Sequence, residues 1–281
     1  MALQDIPPPP TCNGSLAEAV LTAFLKEETS KAGFSKALLG LSGGVDSALV
    51  AELAARALGP ENVLGLALPY KDSAPESLQL GKEAAHHAGI PLEILDITAI
   101  AKAHASAGAV DKKDQTRFGN ILARIRMVAL YDRSAKEGAL VLGTSNKTEL
   151  LLGYGTIHGD LASAINPIGD LYKSQVWSLS KHLGVPDEIV RRPPTADLWE
   201  GQTDEEELGF TYPEVDALLH LMVDSRYSKK TLLKEGFSEG LIDTVKARVQ
   251  QNQYKRRPPI IAKLTPRTIN LDYRYARDWG S

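Results

Sequence analysis

An open, mostly parallel α/β sheet flanked by helices, in a single domain, is the fold this sequence predicts, and three observations predict it. Short apolar runs alternate with helix-patterned stretches, and two of those runs lead straight into polar turns that open helices. The third is bulk: with 281 residues, 43% hydrophobic and 24% charged, the chain suffices for one large α/β domain or two small ones. Uninterrupted alternation without an internal repeat favours one core. Residues 1–14, around Pro7-Pro8-Pro9-Pro10, form a proline-rich tail, and residues 15–281 form the domain.

The elements follow in order. An amphipathic helix from about Leu16 to Lys31 precedes the first strand, Ala37-Leu38-Leu39-Gly40-Leu41, which is short and apolar. The Ala- and Leu-rich stretch Ala48 to Leu58 is a helix stopped by Gly59-Pro60. Further strands are expected at Val63 to Leu68, Pro91 to Leu95 and Ala139 to Gly143, with helical crossovers. One of these crossover helices contains Phe118 to Met127 and runs to about Tyr131. Right-handed crossovers put the loops after parallel strands along one sheet edge, so 42–47 and 144–149 should share one crevice.

Composition excludes several classes of function. A formal net charge of −3 lacks the basic footprint of a protein that tracks a polynucleotide. The single cysteine, Cys12, permits neither a disulfide framework nor a Cys-x-x-Cys metal site within the chain. There is no apolar run long enough to span a bilayer and no export leader, so a cytoplasmic enzyme without membrane or nucleic-acid partners is expected.

Chemistry is concentrated at Ser42-Gly43-Gly44-Val45-Asp46-Ser47, between the first strand and its helix. The glycines admit positive φ and let an anion approach backbone N–H groups, to which the helix start adds partial positive charge. A Walker loop would need Lys before Ser47, and this chain has Asp46. A carboxylate beside a phosphate chain repels it unless a hard cation lies between them. Asp46 therefore implies Mg²⁺ shared with phosphate oxygens, and Ser42 and Ser47 become hydroxyl donors to the same anion. The plainer alternative is a glycine turn with a helix cap.

Two further segments carry polar side chains in register. In Phe118–Met127, about 100° per residue turns Arg124 and Arg126 some 200° apart, whereas Asn120, Arg124 and Tyr131 fall within roughly 40°. That face is either an ordinary solvent stripe or a binding face. After the strand at Ala139, Asn146 and Glu149 in Gly143-Thr144-Ser145-Asn146-Lys147-Thr148-Glu149 have the spacing of a capping box, while Glu149 also stands where a second Mg²⁺ carboxylate belongs.

The glycine loop resembles the pyrophosphate loop of the N-type ATP pyrophosphatases, which split ATP between its α and β phosphates to adenylylate a substrate oxygen. Amide-forming synthetases, GMP synthetase, tRNA lysidine synthetase and thiolation enzymes share it. The helix segment is similar to the Asn-x-x-x-Arg-x-Arg-Met signature of NAD synthetases. The likeness continues through Gly153-Tyr154-Gly155-Thr156-Ile157-His158-Gly159-Asp160, Asn166-Pro167-Ile168-Gly169-Asp170-Leu171-Tyr172-Lys173, Pro193-Pro194-Thr195-Ala196-Asp197-Leu198 and Tyr254-Lys255-Arg256-Arg257.

What the resemblance implies is an adenine nucleotide alpha-hydrolase-like fold and an ATP- and ammonia-dependent amidation of deamido-NAD to NAD, with AMP and pyrophosphate released. It assigns Gly40, Leu41, Ser42, Gly43, Gly44, Val45, Asp46, Ser47, Thr144, Lys173 and Thr195 to ATP, and Asp46 and Glu149 to Mg²⁺. Asn120, Arg124, Tyr254 and Lys255 go to deamido-NAD, and Asp46 and Lys173 to the chemical step. The loop around Asp204 to Glu207 becomes a cover that shields an acyl-adenylate from water. A homodimer is implied, with the partner chain contributing near the terminal substrate-binding residues. Departures exist: where stand-alone relatives place a substrate-binding Lys and Asp, this chain has Ile157 and Ala164, so Asp160 and Asp170 are the substitute candidates, also for accepting a proton from ammonium. Cys12 has no neighbouring His to make a glutaminase, so nitrogen is expected as free ammonia or from a separate glutaminase chain. The competing readings are a GMP synthetase-like enzyme, a tRNA-modifying pyrophosphatase and a non-catalytic nucleotide sensor.

Overall fold

The computed structural model describes residues 6–111, 114–195 and 203–269. Strands β1 (Lys36–Gly40), β2 (Val63–Ala67), β3 (Leu92–Ile94) and β4 (Ala139–Val141) form one parallel sheet in the order β3-β2-β1-β4. β1 is thus central. The chain leaves it toward β2 and β3 on one side and returns to β4 on the other, which creates a switch point between β1 and β4 where open α/β sheets bind ligands.

Side chains alternate across β1, as a period of two requires. Leu39 packs with helices α1 (Gly14–Lys31), α2 (Val45–Leu58), α3 (Pro75–Ala88), α7 (Lys173–Leu183) and α8 (Asp187–Arg191) on one face. Leu38 packs with Ala101 of α4 (Thr98–Ala107) and Leu122 of α5 (Gln115–Glu137) on the other. Burial on both faces explains why the strands read as apolar runs.

The expected strands are present; β1 is shifted by one residue and β2, β3 and β4 are shorter by one or two. β4 ends at Val141 because the next residues pair elsewhere: Leu142 bridges Ile165 in parallel, and the Gly143 N–H donates to the Ile165 carbonyl at 2.7 Å. α1 starts at Gly14, two residues ahead of expectation, because the Asn13 side chain caps it by accepting from the Leu16 N–H at 3.1 Å. The proline tail does not hang free over its described part. Pro8 to Thr11 lie against Lys147, Tyr172 and Gln175, and the Gln175 amide donates to the Thr11 carbonyl at 3.2 Å.

A smaller apolar cluster lies beyond the switch point. It joins α6 (Lys147–Leu152) to α9 (Asp204–Leu208), α10 (Tyr212–Leu219), α11 (Lys229–Lys234) and α12 (Glu239–Gln251) through Leu152, Leu208, Val215, Leu218, Leu232 and Val245. α10 runs into one π-helical turn, His220–Asp224.

Candidate active site

The loop after β1 is a built anion nest. Gly43 holds φ at +80°, and a Cβ there would come within 2.3 Å of the Ser77 carbonyl, so only glycine fits. The Ser47 hydroxyl ties the turn, donating to the Gly44 carbonyl at 3.0 Å and accepting from the Ser42 N–H at 3.3 Å. Gly44 occupies the N-cap position of α2 and brings no capping side chain, which leaves the head of that helix open to an outside acceptor. From behind, Arg192 donates to the Ser77 hydroxyl at 2.7 Å and to the Gly43 carbonyl at 3.4 Å.

The loop after β4 meets it, as neighbouring parallel strands require. Asn146, wholly buried, donates from its amide to Asp46 at 2.9 Å and to Glu149 at 2.7 Å. The capping box also forms, since the Glu149 N–H donates to the Asn146 side chain at 3.0 Å and Glu149 accepts from the Asn146 N–H at 3.3 Å. Cap and site residue are therefore one and the same: one carboxylate oxygen closes the helix start and the other accepts from the Asn146 amide that also bonds Asp46.

Lys173, the first residue of α7 and 3% exposed, sets its ammonium between these acids, 2.5 Å from Asp46 and 3.4 Å from Glu149. The Tyr212 ring lies under the same ammonium, 5.2 Å to its centroid. A third acid, Asp204, accepts from the Tyr212 and Tyr154 hydroxyls at 3.0 Å each. Burial, then the Asp46 charge, pushes the Glu149 carboxyl up to about 8. Burial likewise raises Asp204, against the lowering pull of Lys173. Burial works against the charge on Lys173, yet Asp46 and Glu149 outweigh it and hold the ammonium above its ordinary value.

Asp46 and Glu149 set carboxyl oxygens about one ammonium with Asp204 within electrostatic reach, the oxygen donors a hard divalent cation takes, and a cation held there would favour loss of the Glu149 proton. Among the described residues no group of three or more His, Cys, Asp or Glu side chains is gathered to hold a metal unaided. That fits Mg²⁺, which takes one or two carboxylates and completes its shell with water and substrate phosphates.

The nest and the charged centre open into a cleft of about 660 Å³ whose walls include Thr144, Asn120, Asp160, Thr195 and Lys255. α5 contributes the stripe Thr116, Asn120, Ala123, Met127 and Leu130, spaced three and four apart. This stripe runs on the opposite side of Asn120 from Arg124, so the expected Asn-Arg-Tyr face divides. Arg124 is exposed outside the cleft lining, donating to the Ile157 carbonyl at 3.4 Å, and Tyr131 is 40% exposed. Of the two arginines of this motif, Arg126 is the one that lines the cleft. Its Nε donates to the Leu68 carbonyl at 3.1 Å and its Nη2 to the Ser73 hydroxyl at 3.4 Å.

The remaining candidates separate in the same way. Asp160 is reached by water inside the cleft yet walled by protein, and burial raises its carboxyl although Thr156, whose N–H donates at 2.9 Å, opposes this. Asp170 is outside the cleft lining: its side chain is 96% exposed and pairs with Lys147 at 3.0 Å, so of the two substitute candidates only Asp160 stands in the cleft. The reason is that α6 intervenes, turning Lys147 outward and Glu149 inward. Lys255 reaches in and donates to the Gly153 and Gly155 carbonyls at 2.7 and 3.0 Å, and burial lowers its amine despite Asp160. Tyr254 beside it is 56% exposed and outside the lining. Neither Ile157 nor Ala164 lines the cleft. Of the segment expected to form a cover, 196–202, with Asp197, lies outside the described residues, and Asp204 to Glu207 belong to α9.

Sequence reasoning did not single out Arg126, Arg192, Tyr154 or Tyr212. The first was within a quoted motif and lost to angular proximity. Tyr212 carries no local signal, since its role depends on α10 packing against the start of α7.

Comparison with known proteins agrees with this geometry. Residues 18–259 match the family model described as NAD synthase. The chain is 52% identical over 267 residues to the NH(3)-dependent NAD(+) synthetase of Chlorobium phaeobacteroides strain BS1, covering 95% of this chain and 96% of the relative. Among solved structures, the NH3-dependent NAD synthetase of Campylobacter jejuni superposes with a TM-score of 0.76 at 35% identity, over 90% of this chain and all of that one. The NMN synthetase of Francisella tularensis superposes with a TM-score of 0.80 at 29% identity, over 89% of this chain and 99% of the other.

Proposed function

Because the chain belongs to the NAD synthase family, we propose that the cleft carries out both halves of an ATP-dependent amidation. The enzyme is a ligase that forms a C–N bond: ATP, deamido-NAD and ammonia give NAD, AMP and pyrophosphate. The observation that carries the assignment to this cleft is the convergence of the glycine nest, Asp46, Glu149 and buried Lys173 at the switch point between β1 and β4.

In the first half-reaction the substrate carboxylate attacks the α-phosphorus and the bond to pyrophosphate breaks. The nest N–H groups and the head of α2 hold the departing phosphates, and Lys173 supplies a positive charge placed before the reaction begins. Asp46 and Glu149 would hold Mg²⁺, which when bound neutralises phosphate charge. Thr144 and Thr195, at the cleft wall, serve as polar contacts for ATP. In the second half-reaction ammonia attacks the adenylylated carbonyl and AMP leaves. Asp160, its carboxyl raised, accepts the proton that ammonium must lose. Asn120 and Lys255, which bond the same stretch of backbone and side chain at 153–156, contact deamido-NAD from the cleft wall.

Arg124 serves the substrate from outside the single-chain cleft, in a homodimer. Its neighbours on the outer face support this: Val128 and Tyr131 of α5 and Ile100 of α4 are 61%, 40% and 54% exposed, an apolar surface that a second copy would cover. No described helix is long and apolar enough to cross a membrane, and a cytoplasmic setting suits an ATP consumer.

One panel tests the reading. Purified protein receives ATP, Mg²⁺ and ammonium with deamido-NAD, nicotinate mononucleotide or xanthylate offered separately, and AMP and amidated product are measured. Matched AMP and NAD with deamido-NAD alone is the expected result. Preferential turnover of nicotinate mononucleotide or xanthylate overturns the substrate assignment.

A further inference from the structure

We propose that Asp216, which does not line the cleft, is a positioning residue for the amidation: its carboxylate clamps together the two helix starts that present Glu149 and Lys173. The inference rests on the cleft being the synthetase site and adds a residue that makes that site rigid.

Asp216 lies in α10 and is 0% exposed. Its Oδ1 accepts from the Thr148 hydroxyl at 2.6 Å, and its Oδ2 accepts from both the Ser174 N–H and the Ser174 hydroxyl at 2.7 Å. Thr148 precedes Glu149 in the first turn of α6, and Ser174 follows Lys173 in the first turn of α7. The Thr148 hydroxyl closes the circuit by accepting from the Lys173 N–H at 3.0 Å. A bare carboxylate in the interior costs several kcal/mol, roughly, unless donors and a helix start compensate it, and this one has both.

The arrangement is specific to a carboxylate. The Ser174 N–H can only donate, so an amide in that place must turn its oxygen to Ser174 and its NH2 to Thr148, and the buried Thr148 hydroxyl hydrogen then loses its acceptor. The same helix face reaches Lys173 a second time. Tyr212, four residues before Asp216 and therefore on the same side of α10, puts its ring under the Lys173 ammonium and its hydroxyl on Asp204. α10 thus fixes Lys173 at its backbone through Asp216 and at its charge through Tyr212. A displacement of about 1 Å in such a group costs on the order of 100-fold in rate.

The test uses the full-length enzyme in four variants: Asp216→Asn, Thr148→Val, Thr148→Ser and the double variant Asp216→Asn with Thr148→Val. Turnover of deamido-NAD is measured at saturating ATP and ammonium, per folded molecule counted by size exclusion and circular dichroism. Expected are a fall in kcat of roughly 10- to 100-fold for Asp216→Asn and for Thr148→Val, with the KM for deamido-NAD within about twofold. Thr148→Ser, which keeps the hydroxyl, should retain near wild-type kcat. The double variant should be no worse than the poorer single by more than about threefold, since both break one clamp. A crystal structure of Asp216→Asn should show the Lys173 ammonium displaced from Asp46. Wild-type kcat per folded molecule in Asp216→Asn, or losses that multiply in the double variant, overturns the proposal. If the wild-type enzyme fails to amidate deamido-NAD, the reading of the cleft falls, and the Asp216→Asn structure decides the clamp by itself: unmoved Lys173 and Glu149 side chains refute it.

Discussion

Two carboxyl groups, those of Asp46 and Glu149, meet the buried ammonium of Lys173, and Asp204 adds its field from farther off, so removing that ammonium strikes rate and fold together. Lys173→Met should lower kcat by roughly 10²- to 10³-fold, as loss of a preorganised charge at a leaving group does. It should also cost about 3–5 kcal/mol of stability, the usual result of breaking a buried pair, seen as a lower melting temperature. Glu149 gives a pH signature in protein freed of divalent ions. Its carboxyl sits at about 8 when folded, above the ordinary value of 4.5. The folded state therefore holds the proton longer, and the stability this group contributes is full below pH 4.5 and is lost as pH rises through about 8. Glu149→Gln should remove that slope, raising apo stability at pH 8.5 by roughly 2 kcal/mol relative to wild type while abolishing turnover, checked by denaturant titration at two pH values. Asp160→Asn should slow amidation and leave ATP–pyrophosphate exchange unchanged, read by isotope exchange. At this scale the glycine nest, Asp46 and Glu149 were legible because residue type and strand-end position suffice to mark them. Asp204, Tyr154 and Tyr212 were not, because their meaning arises from contacts between separate segments, such as Tyr154 with Asp204 and Tyr212 with Lys173.

At the scale of elements, α5 shows what periodicity settles and what it leaves open. The angle between Arg124 and Arg126 was correctly read as opposing, and the length and place of the helix followed from its pattern. Which side meets the cleft was undetermined, because it follows from how Gly119, Leu122 and Ala123, buried in the first half of α5, pack against the rest of the protein. Arg126→Ala should accordingly lower kcat/KM by roughly 10- to 100-fold. Arg126→Lys should recover little, since a lysine cannot donate in two fixed directions to the Leu68 carbonyl and the Ser73 hydroxyl at once. α6 is the converse case. Its cap was readable from Asn146 and Glu149 alone, and the six-residue helix so fixed turns Lys147 outward to Asp170 and Asp224 while Glu149 faces in. That outward turn is why Asp170, plausible in a linear motif, stands apart from the cleft.

For the whole molecule, the parallel sheet and the edge that carries the cleft were legible from alternation, because buried strands betray themselves as apolar runs and crossovers leave few topologies. The helices after Asp204 were not organised by the same logic, and their cluster, with Tyr212 and Asp216 on one face of α10, appears only in three dimensions. The apolar outer face of α4 and α5 predicts self-association: Val128→Asp should shift sedimentation from dimer to monomer at micromolar concentration and weaken deamido-NAD binding with it. The site is also dispersed along the polypeptide, from the nest before residue 50 to Lys255 near the other end. A nascent chain emerging from the ribosome therefore displays its phosphate nest long before Lys173, and longer still before α10 and Lys255 arrive. Until Lys173 has emerged such a chain lacks the charge set against the departing pyrophosphate, so a partial copy that holds only the nest can grip phosphate without activating a carboxylate.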